Sequence, residues 1–179
     1  MAAAIDLVST VGFNALSYRD IAAQVGITTA SIHYHFPAKT DLGLAVVADL
    51  RTRGDEAWQH LEQAHPLVPQ RLETLVGIIA GLTCESGRAC PINMLQAEFA
   101  NLAEPLQAAV NAWVRSKIDQ LAGWLDAGRR SGQLSFRGTP HDQARVVWSV
   151  LEYGAQLART NPDLPFKPLA DQVLRSMAA

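Results

Sequence analysis

Between Ser17 and Leu42 the chain carries Thr28, Thr29, Ala30, His33, Tyr34, His35 and Lys39, small or hydrogen-bonding side chains set around the apolar Ile32. If Ile27 and Ile32 pin a short helix to a core, this set is turned outward. Such a face can exchange hydrogen bonds with base edges in a groove and with phosphate oxygens, and helix N-termini add donors for phosphate. His33 and His35 do not suggest a metal, because residues two apart on a helix point away from each other. A second reactive pair, Cys84 and Cys90, brackets the Gly-containing stretch CESGRACP, with Arg88 near enough in sequence to lower a thiol pKa. That layout suits a reversible disulfide or an electrophile-sensing thiol and fits no zinc pattern; a buried, inert pair is the plainer reading. Among the other histidines, His60, His65 and His141 have no evident orienting partner. With no glycine-rich phosphate loop, GxSxG elbow or paired-His helix, neither catalysis nor a cofactor is expected.

The elements that must position these groups are helices. Of the 179 residues, 49% are hydrophobic and 18% charged, the balance of a folding globular chain. Apolar residues recur at helical spacing and nowhere alternate as a strand requires, so the fold class is all-α with about nine helices. Ala2 to Val11 forms the first, ended by Gly12. Ser17 to Asp20 resembles a capping box that opens the second, closed by Gly26. Thr28 caps a third that runs to His35, before Pro37. A connector follows from Lys39, with Leu42, Val46, Leu50, Ala57 and Leu61 on one line, until His65 and Pro66. Helices are then expected over Gln70 to Cys84 (with Leu82 in its apolar stripe), from Pro91 to near Asn101, over Glu104 to Ser131, from Pro140 to Ala158, and from Leu169 to Met177. The N-terminal stretch has no Lys or Arg ahead of an apolar run, and the run Val146 to Ala158 is interrupted by Glu152 and Gln156. Neither a signal peptide nor a membrane span is expected, and the location is read as cytoplasmic.

The stretch SYRDIAAQVGITTASIHYHFPAKTDL has the layout of a helix-turn-helix: a short helix, a Gly-containing turn, and a second short helix. Ile21 with Ala22, Gly26 to Thr28, His35 with Phe36, and Lys39 with Leu42 closely resemble the signature of the TetR family of transcription regulators. His33 departs from it, standing where the family usually has Tyr. Members also usually begin with a basic arm and an extra helical turn before the position of Ala4; an arm missing here would reduce DNA affinity. The resemblance implies a DNA-binding domain over 1–46, in which residues 28 to 30 and 33 to 35 meet the major groove and flanking phosphates while Lys39 holds backbone. It implies an effector-binding and dimerisation domain over 47–179. The partners are then a double-stranded operator, a small-molecule effector, and a second copy of the chain paired through the last two helices.

Charge sits awkwardly with that reading. From Met1 to Leu50 there are two basic residues, Arg19 and Lys39, against Asp6, Asp20, Asp41 and Asp49. DNA binding must then rest on a few positioned groups and on helix N-termini. In the C-terminal part, Val146 and Val150 widen the apolar stripe of their helix beyond what a monomer buries, which agrees with dimerisation; Leu169, Val173, Leu174 and Met177 would supply the partner helix. Met94, Leu95, Glu98, Phe99, Trp113, Trp124, Trp148 and Tyr153 are the candidates for an effector pocket, apolar walls with few polar groups, although core packing suits each as well. The function expected is a ligand-responsive regulator, a repressor released from a palindromic operator. The alternative is a helical enzyme or small-ligand carrier whose N-terminal module does not bind DNA.

Overall fold

Local capping decides where the short helices begin and end. In the computed structural model, which describes residues 1–179, α1 (Ala2–Val11) stops at Gly12, whose φ of +88° a residue with a Cβ rarely adopts. Ser17 opens α2 (Tyr18–Val25) with a full capping box: the Asp20 N–H donates to Ser17 Oγ at 3.3 Å and the Ser17 N–H to Asp20 Oδ2 at 3.0 Å. The Asp20 carboxyl is held below its ordinary 3.8, first by the Ser17 hydroxyl and then by the Ser17 amide. The cap is therefore complete above that value and is lost only as pH falls below it. Gly26, left-handed at φ +77°, closes α2, and Thr28 caps α3 (Thr29–His35).

Eight further elements follow: α4 (Lys39–Ala64), α5 (Val68–Ile79), a π-helical turn (Ala80–Glu85), α6 (Pro91–Ala97), a 3₁₀ turn (Phe99–Asn101), α7 (Glu104–Arg130), α8 (Pro140–Thr160) and α9 (Phe166–Arg175). That makes nine α-helices and no strand, the all-α class expected, with one antiparallel bridge joining Leu134 to Ala178. No helix is long and apolar enough to cross a membrane.

The chain divides into two compact units, 1–54 with 89–113 and 55–88 with 114–179. In the first, Val8, Phe13, Leu16, Ile32, Leu42, Val46, Ile92, Leu95, Leu106 and Val110 are buried. Gly43 sits where an added Cβ would lie 2.6 Å from a Leu106 methyl and 2.9 Å from the Phe13 ring, so a side chain there would force the packing apart.

In the second unit Trp58 and Trp124 stack with centroids 4.3 Å apart, and the Trp124 indole N–H donates to Glu62 at 2.5 Å. The fully buried Lys117 ammonium donates to Asp55 at 2.6 Å and to Gln120 at 3.1 Å. An ion pair, an aromatic stack and a hydrogen bond thus join α4 to α7 over two turns. Gly154 lets α9 lie tight on α8, since a Cβ there would stand 2.9 Å from a Leu169 methyl.

Several sequence expectations need correction. Ala57 is exposed; the Trp58 stack on Trp124 turns the neighbouring position inward instead. Leu82 is exposed because the π turn adds a residue to the winding, bringing Thr83 in and Leu82 out. Ile27 is also exposed: it lies in the turn between the left-handed Gly26 and the Thr28 cap, and Ile32 alone anchors α3 from within. The last helix starts at Phe166, not Leu169, because Pro168 falls in its first turn, where the missing N–H would have had no partner. Met177 is fully buried in its own unit, its carbonyl accepting the Ser135 N–H at 2.8 Å, and is not available to a second copy.

Candidate nucleic-acid interface

The recognition-type helix α3 is fixed from both ends and from beneath. Beneath it, Ile32 is 4% exposed. At its start Thr28 Oγ1 accepts the Ser31 N–H at 3.2 Å. At its end the Tyr18 hydroxyl, reaching from the first turn of α2, donates to the Phe36 carbonyl at 2.7 Å, while the Tyr18 ring meets His33 edge-on at 4.5 Å. Burial, and secondarily Asp41, push the Tyr18 hydroxyl above its usual range, so it stays a donor. Gln24 Nε2 donates to Asp6 at 3.1 Å and ties α2 to α1. Sequence reading missed Tyr18; its place just after the Ser17 cap was legible, but its bond to Phe36 spans 18 residues.

So held, α3 turns Thr28, Thr29, Ala30, His33, Tyr34 and His35 to the exterior, with Tyr34 83% exposed. Tyr34 and His35 lie edge to face at 5.2 Å. Six of the seven proposed contacts therefore share one accessible surface of phenol, imidazole, hydroxyl and methyl groups. Lys39 stands apart. Its ammonium is half-buried, donates to the Asn14 carbonyl at 2.9 Å and lies 5.1 Å from the Phe13 ring centroid. Burial lowers its pKa and the Glu98 charge opposes that. Lys39 thus holds this protein's own backbone.

Side-chain caps occupy part of each helix N-terminus. Ser17 Oγ accepts the Asp20 N–H of α2 at 3.3 Å, the Asp41 carboxylate accepts the Ala38 N–H at 2.9 Å ahead of α4, and Thr28 caps α3. These caps satisfy one first-turn N–H in α2 and one in α3, of the up to four that a helix start leaves without an intrahelical partner. Arg19 is exposed, whereas Arg53 pairs with Asp49 at 2.7 Å.

The pocket candidates separate. Met94, Leu95, Glu98, Phe99 and Trp113 belong to the first unit; Trp124, Trp148 and Tyr153 belong to the second. Leu95 and Trp124 are buried core, and Trp148 is nearly so. Tyr153 is no cavity wall: it is 69% exposed on the outer face of α8. Glu98 is tied down, its Oε2 accepting the Asn14 N–H at 2.9 Å. A cleft of about 430 Å³ in the second unit, floored by Leu72, Leu134 and Leu174, includes none of the eight.

Cys84 and Cys90 are half-buried and form no disulfide. Burial, and then Glu85, push the Cys84 thiol up from 9.0, in the direction of the plainer, inert reading. Its Sγ lies 3.7 Å from the Ala155 carbonyl, as a packed thiol would. No group of three or more His, Cys, Asp or Glu side chains is placed to hold a metal.

Residues 1–46 match the family described as bacterial regulatory proteins, tetR family. The whole chain is similar to a TetR-family transcriptional regulator from Agrobacterium tumefaciens, with 28% identity, TM-score 0.91, and coverage of 99% of this chain and 94% of that one. It is similar to a TetR transcriptional regulator from Legionella pneumophila at 27% identity and TM-score 0.89, covering 98% and 94%. A regulator from Saccharomonospora viridis in complex with choline shares the fold at 16% identity and TM-score 0.81, covering 99% and 95%. No curated protein matches the chain in sequence. With a tetR-family module at residues 1–46 and that fold along its length, the chain resembles the TetR-family transcriptional regulators, DNA-binding proteins rather than enzymes.

Proposed function

We propose that the protein is a repressor that grips a palindromic operator as a homodimer and is released by a small-molecule effector, in the cytoplasm. Residues 1–46 are the DNA-binding module and 47–179 the effector-binding and dimerisation part. The observation that carries this reading is the outward set on α3, Thr28, Thr29, Ala30, His33, Tyr34 and His35, on a helix whose other contacts are all used to hold it still. Lys39 serves the operator indirectly, by fixing the turn before α2.

Dimerisation is assigned to the outer stripe of α8. Val146, Val150, Tyr153 and Leu157 recur at helical spacing opposite the buried Ala144, Val147, Trp148, Leu151 and Ala155; Val146 is 51% exposed and Tyr153 69%. Leu169 of α9, 40% exposed, adds to it. A second copy covers this stripe. The unbroken α4 carries effector-induced motion to the DNA module, so that the two copies of α3 lose the register of successive grooves. For the effector, the choline held by the regulator from Saccharomonospora viridis supports a small organic molecule.

Gel retardation on the DNA upstream of its own gene, at graded salt, tests the proposal. Specific retardation is expected, with a shallow log–log salt slope on the order of −2 to −4, because few cations are present to displace counterions. Tyr34→Ala is expected to weaken binding by roughly 5- to 100-fold, the range of one good groove contact, without loss of fold. Retardation indifferent to sequence, or untouched by Tyr34→Ala, would favour the carrier or enzyme alternative.

A further inference from the structure

Glu98 lies just past the C-terminal end of α6, yet its side chain reaches a turn 84 residues earlier. Oε2 accepts the Asn14 N–H at 2.9 Å. The Asn14 carbonyl accepts the Lys39 ammonium at 2.9 Å, at the first residue of α4. One residue of the α1–α2 turn is thus held by an anion on its N–H and by a cation on its C=O. Bonds polarised in sequence in this way reinforce one another.

The approach is built into the backbone. Gly12 is in contact with Glu98 Oε1 at the point where a Cβ would stand, and its φ of +88° is itself unsuited to a side chain. The same flank of α1 is tied to the start of the α6 segment by the Ala89 N–H, which donates to the Ser9 carbonyl at 3.2 Å. Phe13, buried between these groups, closes over the Lys39 ammonium. All these residues belong to one compact unit.

We propose that Glu98 is a positioning residue for operator binding: through Asn14 and Lys39 it locks the α1–α2 turn and the start of α4, and with them α3, in the orientation that reads DNA. α3 has no independent freedom, because its end is bonded to Tyr18 of α2 and leads within four residues to Lys39. A shift of the end of α6 therefore reaches the DNA face through a charge-assisted bond rather than through packing alone. The proposal rests on the repressor reading.

The test compares wild type, Glu98→Ala and Glu98→Gln by exchange of the Asn14 amide and by fluorescence anisotropy on the upstream duplex, with circular dichroism to establish folding. In Glu98→Ala, Asn14 exchange is expected to quicken and operator affinity to fall, each roughly tenfold, as for loss of a hydrogen bond to a charged group. Glu98→Gln keeps an acceptor for the Asn14 N–H and is expected to recover most of both. Unchanged affinity in Glu98→Ala, a loss of affinity without faster Asn14 exchange, or a Gln variant no better than Ala would each overturn the role of Glu98. A wild type that binds every duplex alike would instead overturn the repressor reading, and Asn14 exchange would still report on the bond.

Discussion

Charging the outer stripe of α8 with Val146→Glu and Tyr153→Glu is expected to leave the chain folded and to lower operator affinity roughly 10²- to 10⁴-fold. Both side chains are more than half exposed in the single chain, so little of the monomer's own core is disturbed. In a dimer they are central to an apolar seam, where facing carboxylates lose water without gaining partners. Subunits that no longer pair bind one half-site at a time and lose the effective concentration that the second site provides. Sedimentation velocity is expected to show the variant at half the mass of wild type, with anisotropy reporting the loss. A double variant that remains dimeric and binds normally would remove α8 from the interface.

Trp124→Ala is expected to have the largest effect on stability. The side chain is 3% exposed, stacks on Trp58, donates to Glu62, and lies with its ring 5.8 Å from the Arg71 guanidinium. Removing it opens a cavity and strips three neighbours of their contact, which destabilises by about 3–5 kcal/mol in comparable cores. That is a fifth or more of the stability of an ordinary domain, roughly 5–15 kcal/mol. In urea the midpoint should fall accordingly, and Trp58 should lose the emission signature of its stacked partner. A shift below about 0.5 kcal/mol, within the range of ordinary surface substitutions, would mean that the stack does not organise the second unit.

What was legible from the sequence is what is decided locally. The Ser17 box, the left-handed Gly26 and the Thr28 cap each involve residues within four positions, and they bound α2 and α3 as read. The outward set on α3 followed from the same periodicity, because burying Ile32 leaves the remaining positions outside. The errors lie where distant residues decide. Lys39 reads as a phosphate contact alone, whereas its ammonium also donates to the Asn14 carbonyl 25 residues away. Glu98 reads as an edge residue until the bare backbone of Gly12 makes room for it. Tyr153 reads as a pocket aromatic because composition does not say which side of α8 faces the core. The π turn is likewise invisible to a 3.6-residue periodicity, which placed Leu82 inside.

The role of Gly12 follows from the same geometry. Its neighbours leave no volume for a side chain, and its φ would strain one. Conformational freedom and close approach thus coincide at the residue that makes room for the Glu98 carboxylate.

The most direct measurement is selection of bound duplexes from a random library by wild type and by Tyr34→Ala. Two inverted half-sites are expected in the wild-type pool, centred about 34–36 Å apart or at a multiple of that distance, the spacing at which a paired helix-turn-helix meets successive grooves; enrichment should weaken or vanish with Tyr34→Ala. A wild-type pool with no shared motif, or with one unrepeated motif recovered equally by both proteins, would contradict paired reading by α3.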